Sequence, residues 1–79
     1  MMSIVGLEKD FVLGKDIDGF RTREGKEEKR TFKKGESIFT LYLYDKGIVI
    51  RPSKDKDDAN AYVVDEGVLR ESIDSKKLP

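Results

Sequence analysis

The sequence predicts a mainly β fold: a small five-stranded barrel or a curled antiparallel sheet, with at most one short helix near a terminus. Three observations carry that reading. Leucines alternate with tyrosines in "FTLYLY", the period of a strand, and "IVIRP" and "AYVV" are short apolar runs of strand length. Glycines interrupt the chain at short intervals, as tight connections between strands require. Seventy-nine residues, 37% hydrophobic and 41% charged, suit a single domain over residues 1–79 with one small core.

The first element has two readings. In "SIVGLEKDFVLG", Ile4, Leu7 and Phe11 stand at helical spacing, with Ser3 as an N-cap and Gly14 as a stop. Alternatively "DFVLG" is a short strand and residues 1–8 form a loose arm. The strand is favoured, since Gly6 weakens the helix by about 1 kcal/mol relative to alanine. Asp18-Gly19 reads as a turn into an alternating segment, with Phe20 and Thr22 on one face and Arg21 and Arg23 on the other. "REGKEEKRTFKKGE" is charge-dense and holds a single aromatic, which suits a long exposed hairpin or a mobile loop.

"FKKGES" turns the chain into its longest strand, residues 37 to 44. "IVIRP" is the next strand, which Pro52 ends or places on a sheet edge. "SKDKDDAN" reads as a solvated loop. "AYVVDE" follows as a strand, with Tyr62 and Val64 on one face and Ala61 and Val63 on the other. In "GVLRESI", Leu69 and Ile73 lie one helical turn apart, so a short helix competes with an edge strand. "DSKKLP" closes the chain as a frayed tail.

This order of signals resembles the Src-homology-3-like small β-barrels. An early strand precedes a long charged hairpin, an aromatic-x-Lys-Gly-Glu turn at Phe32 to Glu36, a central hairpin, and a one-turn helix at "DEGVL". The resemblance spans residues 11 to 73 and rests on pattern, not on a specific motif. It implies a five-stranded barrel. Peptide-binding members grip proline-rich helices with an aromatic cluster that includes tryptophan. This chain has no tryptophan, so the resemblance does not carry that activity with it.

The central hairpin raises a question of register. Asp45-Lys46-Gly47 suits a three-residue loop closed by a left-handed glycine, and turn chemistry favours it. Residue 44 then faces 48, and Tyr42, Tyr44, Ile48 and Ile50 form one apolar face. Phe39, Leu41, Leu43 and Val49 form the other. A loop of two residues, Lys46-Gly47, or of four reverses the parity. Leu41, Leu43, Ile48 and Ile50 then make the core face, and the tyrosines lie outside. The first register leaves a hairpin apolar on both sides, so Tyr42, Tyr44, Ile48 and Ile50 are the candidate partner-binding residues. Tyrosine also fits strands well with no function at all.

Few residues offer chemistry. With neither histidine nor cysteine, the chain lacks the usual general base near neutral pH and the best nucleophile. No catalytic residues, no metal site and no cofactor are assigned, and no small-molecule substrate is implied. Asp55, Asp57 and Glu66 match positions one, three and twelve of a calcium loop, but Ala59 and Asn60 break the pattern at five and six. Residues 21 to 36 hold seven basic against four acidic side chains, although sixteen of each cancel over the chain. Arg21, Arg23, Lys29, Arg30, Phe32, Lys33 and Lys34 are therefore the candidates for an alternative role in binding nucleic acid. Interleaved glutamates favour a plain solvated hairpin instead. The absence of cysteine, of a signal-like start and of a long apolar run points to a cytoplasmic protein without a membrane partner. The expected function is a non-enzymatic binding module that docks a protein partner or a second copy. Small size and dense charge are also compatible with an accessory protein of a phage or mobile element.

Overall fold

Six strands and one helix follow the chain: β1 (Asp10–Val12), β2 (Ile17–Arg23), β3 (Lys26–Phe32), β4 (Ser37–Tyr44), β5 (Gly47–Pro52), β6 (Tyr62–Asp65) and α1 (Glu66–Lys77). A computed structural model describes residues 6–77 of the chain. The strands form one antiparallel sheet in the order β1-β4-β5-β6-β2-β3. The edges are β1 and β3, which do not pair with each other, so the sheet is open. The expected five-stranded barrel, the curled sheet and the Src-homology-3-like resemblance are all overturned by this topology. The reason lies in α1. It packs Leu69 and Ile73 against one sheet face, so the core forms between sheet and helix and the sheet need not close on itself.

That core consists of Leu13, Ile17, Phe32, Ile38, Ile48, Ile50, Val64, Leu69 and Ile73. Strand parity explains the set. Ile38 and Ile50 alternate with Phe39 and Val49, and Leu69 and Ile73 stand one turn apart on α1. The Asp65 carboxylate starts the helix by accepting from the Val68 N–H at 3.0 Å. Ser72 then ties α1 to the link between β1 and β2. Its hydroxyl accepts from the N–H groups of Gly14 (3.1 Å) and Lys15 (3.0 Å) and donates to the Lys15 carbonyl (2.9 Å). The helix takes in residues 74–77, where the sequence predicts a frayed tail; Leu78 and Pro79 lie outside the described residues.

The first segment is a strand, and residues 6–8 are held where a loose arm is expected. The buried Thr40 hydroxyl donates to the Gly6 carbonyl at 2.7 Å, and the Glu8 N–H donates to the Thr40 carbonyl at 2.7 Å. Residues 1–5 of that expected arm lie outside the described residues. Asp18-Gly19 is not a turn; both residues lie inside β2. A Cβ at Gly19 would come within 2.8 Å of Tyr62 Cβ, so this glycine serves close packing. The reversal falls instead at Glu24-Gly25, where both residues have positive φ and join Arg23 to Lys26 in a two-residue turn.

Candidate docking face

The hairpin of β4 and β5 decides which side chains face outward. Tyr44 pairs with Gly47, Leu43 with Ile48 and Tyr42 with Val49, so the connection is the two-residue turn Asp45-Lys46, with Asp45 at φ 55°. Neither register considered from the sequence is adopted, although the parity matches the reading that puts the tyrosines outside. Farther from the turn the pairs are Thr40 with Ile50 and Phe39 with Arg51, leaving Leu41 as an extra residue. That bulge inverts the alternation of β4. Before it, Ile38 and Thr40 are fully buried on the core side of the sheet; after it, Tyr42 and Tyr44 are exposed on the other.

Ile48 and Ile50 are therefore on the opposite face from the tyrosines. Both are fully buried in the core, so the candidate partner-binding set of Tyr42, Tyr44, Ile48 and Ile50 is divided between core and surface. Tyr42 and Tyr44 are 56% and 60% exposed.

What joins the tyrosines is a cross-strand row that the sequence does not display. Phe20 on β2 pairs with Val63 on β6, Val63 with Val49 on β5, and Val49 with Tyr42 on β4. Aromatic, valine, valine and aromatic thus stand side by side on four neighbouring strands. Lys29 extends the row on β3, opposite Phe20. Phe20 is 45% exposed, whereas Val49 is buried and Val63 half-buried. The result is an open groove of about 620 Å³, with a valine floor and aromatic walls from Phe20 on one side and Tyr42 and Tyr44 on the other.

Two arginines hold the loop whose Asp58 and Ala59 line the groove. Arg21 packs its guanidinium 4.5 Å above the Tyr62 ring, donates to Glu28 Oε1 at 2.7 Å and to the Ala59 carbonyl at 2.6 Å. Arg51 stacks on Phe39, pairs with Asp58 at 3.0 Å and donates to the Asp55 carbonyl at 2.7 Å. Together they hold the 53–61 loop against the sheet.

The basic set for nucleic acid is not one surface. Phe32 is fully buried and unable to stack on a base. Arg21 is committed as just described, and Arg30 lies over Phe32 while pairing with Glu36 at 2.8 Å. Arg23, Lys29, Lys33 and Lys34 are exposed, but Lys29 stands on the groove face while Lys33 and Lys34 lie in the turn before β4. The acidic loop has local work to do: Asp55 accepts from the Asp57 N–H and Asp57 from the Ala59 N–H, which caps a single 3-10 turn at Asp58–Asn60. Among the described residues no helix is long and apolar enough to cross a membrane.

Comparisons with protein-family models, with curated proteins and with solved structures find no match.

Proposed function

We propose that this chain is a non-enzymatic binding module that docks a protein partner on the groove face of its sheet. The observation that supports this reading is the exposed row from Phe20 to Tyr42, with Tyr44 beside it, on a face that α1 leaves open. An apolar face of this kind loses less by contact with another protein than by exposure to water. Tyrosine suits such a contact because its ring is apolar while its hydroxyl tolerates water at the rim.

The test is co-purification of the tagged chain from its native cells, compared with the double variant Tyr42→Thr, Tyr44→Thr. The partner should be retained by the parent and lost by the folded variant. Salt separates this mode from a phosphate-led one: apolar docking survives several hundred millimolar salt, whereas contact with nucleic acid weakens steeply. Retention of the same partner by the double variant would sink the reading.

A further inference from the structure

Given that docking face, we infer that its occupant is a short amphipathic helix of the partner, lying along the strands between the aromatic walls. Three features of the groove lead there. First, β2 and β4 are separated by two strands, so three spacings of about 4.8 Å set the walls about 14 Å apart. The rings take up part of that width, so the groove admits the apolar ridge of an α-helix, which with all its side chains is about 10–12 Å across, while the rest of the helix stands above the walls.

Second, the apolar area is small. It reaches from Phe20 to Tyr42 across the sheet, and from Thr22 to Tyr44 along it. At about 14 Å each way, that is roughly 200 Å² of sheet, against about 800 Å² buried by each partner in a stable association of two domains. A helix of about three turns covers such a patch.

Third, symmetry disfavours a second copy in this position. The row is large-small-small-large, so a two-fold axis along the strands lays aromatic wall on aromatic wall and leaves the valine floor uncovered. A two-fold across the strands sets each wall on its own equivalent, with the same result. A convex helix ridge passes between the walls and meets Val63, the half-buried part of the floor. Exposed Arg23 and Glu27 on the β2–β3 side offer its polar flank one charge of each sign.

The probe is a synthetic peptide of about three helical turns, with leucine at i, i+3, i+4 and i+7 and lysine and glutamate elsewhere. It is titrated into the isotope-labelled full chain and followed by amide resonances and by circular dichroism. Saturable shifts are expected at Phe20, Thr22, Tyr42, Val49 and Val63, together with a gain of peptide helicity. A peptide with a central proline should bind about tenfold more weakly or worse, because proline breaks the helix. Phe20→Ser should abolish the shifts, while Leu43→Ser, exposed on the other side of β4, should leave them intact.

Equal binding of the proline peptide at these residues overturns the helix while leaving the docking face in place. Shifts confined to α1, or none at millimolar peptide, likewise overturn it. If light scattering shows a dimer that Phe20→Ser dissociates, a second copy is the occupant and the inference falls. Loss of the docking reading itself is diagnosed separately, by partner retention in the tyrosine double variant.

Discussion

Ile48 and Val49 are neighbours on β5 and both are buried, but they are covered by different means. Ile48 points into a second layer, where Leu69 and Ile73 of α1 complete the core. Val49 points to a face that has no second layer among the described residues, and it lies between its cross-strand neighbours Tyr42 and Val63. One face thus depends on a helix and the other on its own aromatics. The difference teaches that burial alone does not identify structural residues. A valine floor screened by half-exposed rings is a surface that another molecule can use.

The sharpest way to break the comparison is to weaken the covered face. Leu69 is fully buried at the centre of the helix contact. Leu69→Ala should cost about 2–5 kcal/mol, measured by urea denaturation, a large share of the roughly 5–15 kcal/mol that a small domain has in total. A loss under 1 kcal/mol would mean that α1 contributes little to the core and that the two faces are more alike than described.

A smaller effect is expected where the helix is tied rather than packed. Ser72 satisfies two backbone donors and one acceptor in the turn between β1 and β2. Ser72→Ala leaves the Lys15 N–H without that acceptor and should cost about 1–3 kcal/mol. Hydrogen exchange should quicken first at Gly14 and Lys15. Uniform quickening across the sheet would instead show that the tie holds the whole fold.

The elements were more legible than their arrangement. The two-residue period placed β4 at residues 37 to 44, and "AYVVDE" was read with the correct faces, because both signals are local. Leu69 and Ile73 mark the helix in the sequence, but two apolar residues do not show that it packs on a sheet face. That packing decides between an open sheet and a barrel, and it depends on contacts between residues far apart in sequence. The site was half visible. Tyr42 and Tyr44 stand out in the sequence, whereas turn chemistry favours a three-residue loop where the turn is Asp45-Lys46, and that difference of one residue groups Ile48 and Ile50 with them wrongly. Phe20 and Val63 were missed as site residues because their place in the row comes from pairing across β2, β6 and β5. Phe32 was read as an exposed aromatic among charges. Its position at the end of β3 instead turns it inward, where it meets Tyr62 edge-on at 5.8 Å.

The smallest effect sharpens the comparison most. Tyr44 lies at the end of β4 beside Gly47, more than half exposed, and braces nothing in the core. Tyr44→Thr keeps a strand-favouring residue while removing the ring, so stability should change by no more than about 0.5 kcal/mol. Tyr42 is less exposed and screens Val49, so Tyr42→Thr should cost somewhat more, about 1 kcal/mol. Denaturation curves for the two single variants give this ordering directly. If Tyr44→Thr proves as costly as a core substitution, its ring belongs to the fold, and the open face has less free apolar surface to offer a partner. If it is silent in stability yet weakens partner retention, the ring is there for contact, and the two faces of the sheet differ in purpose as well as in cover.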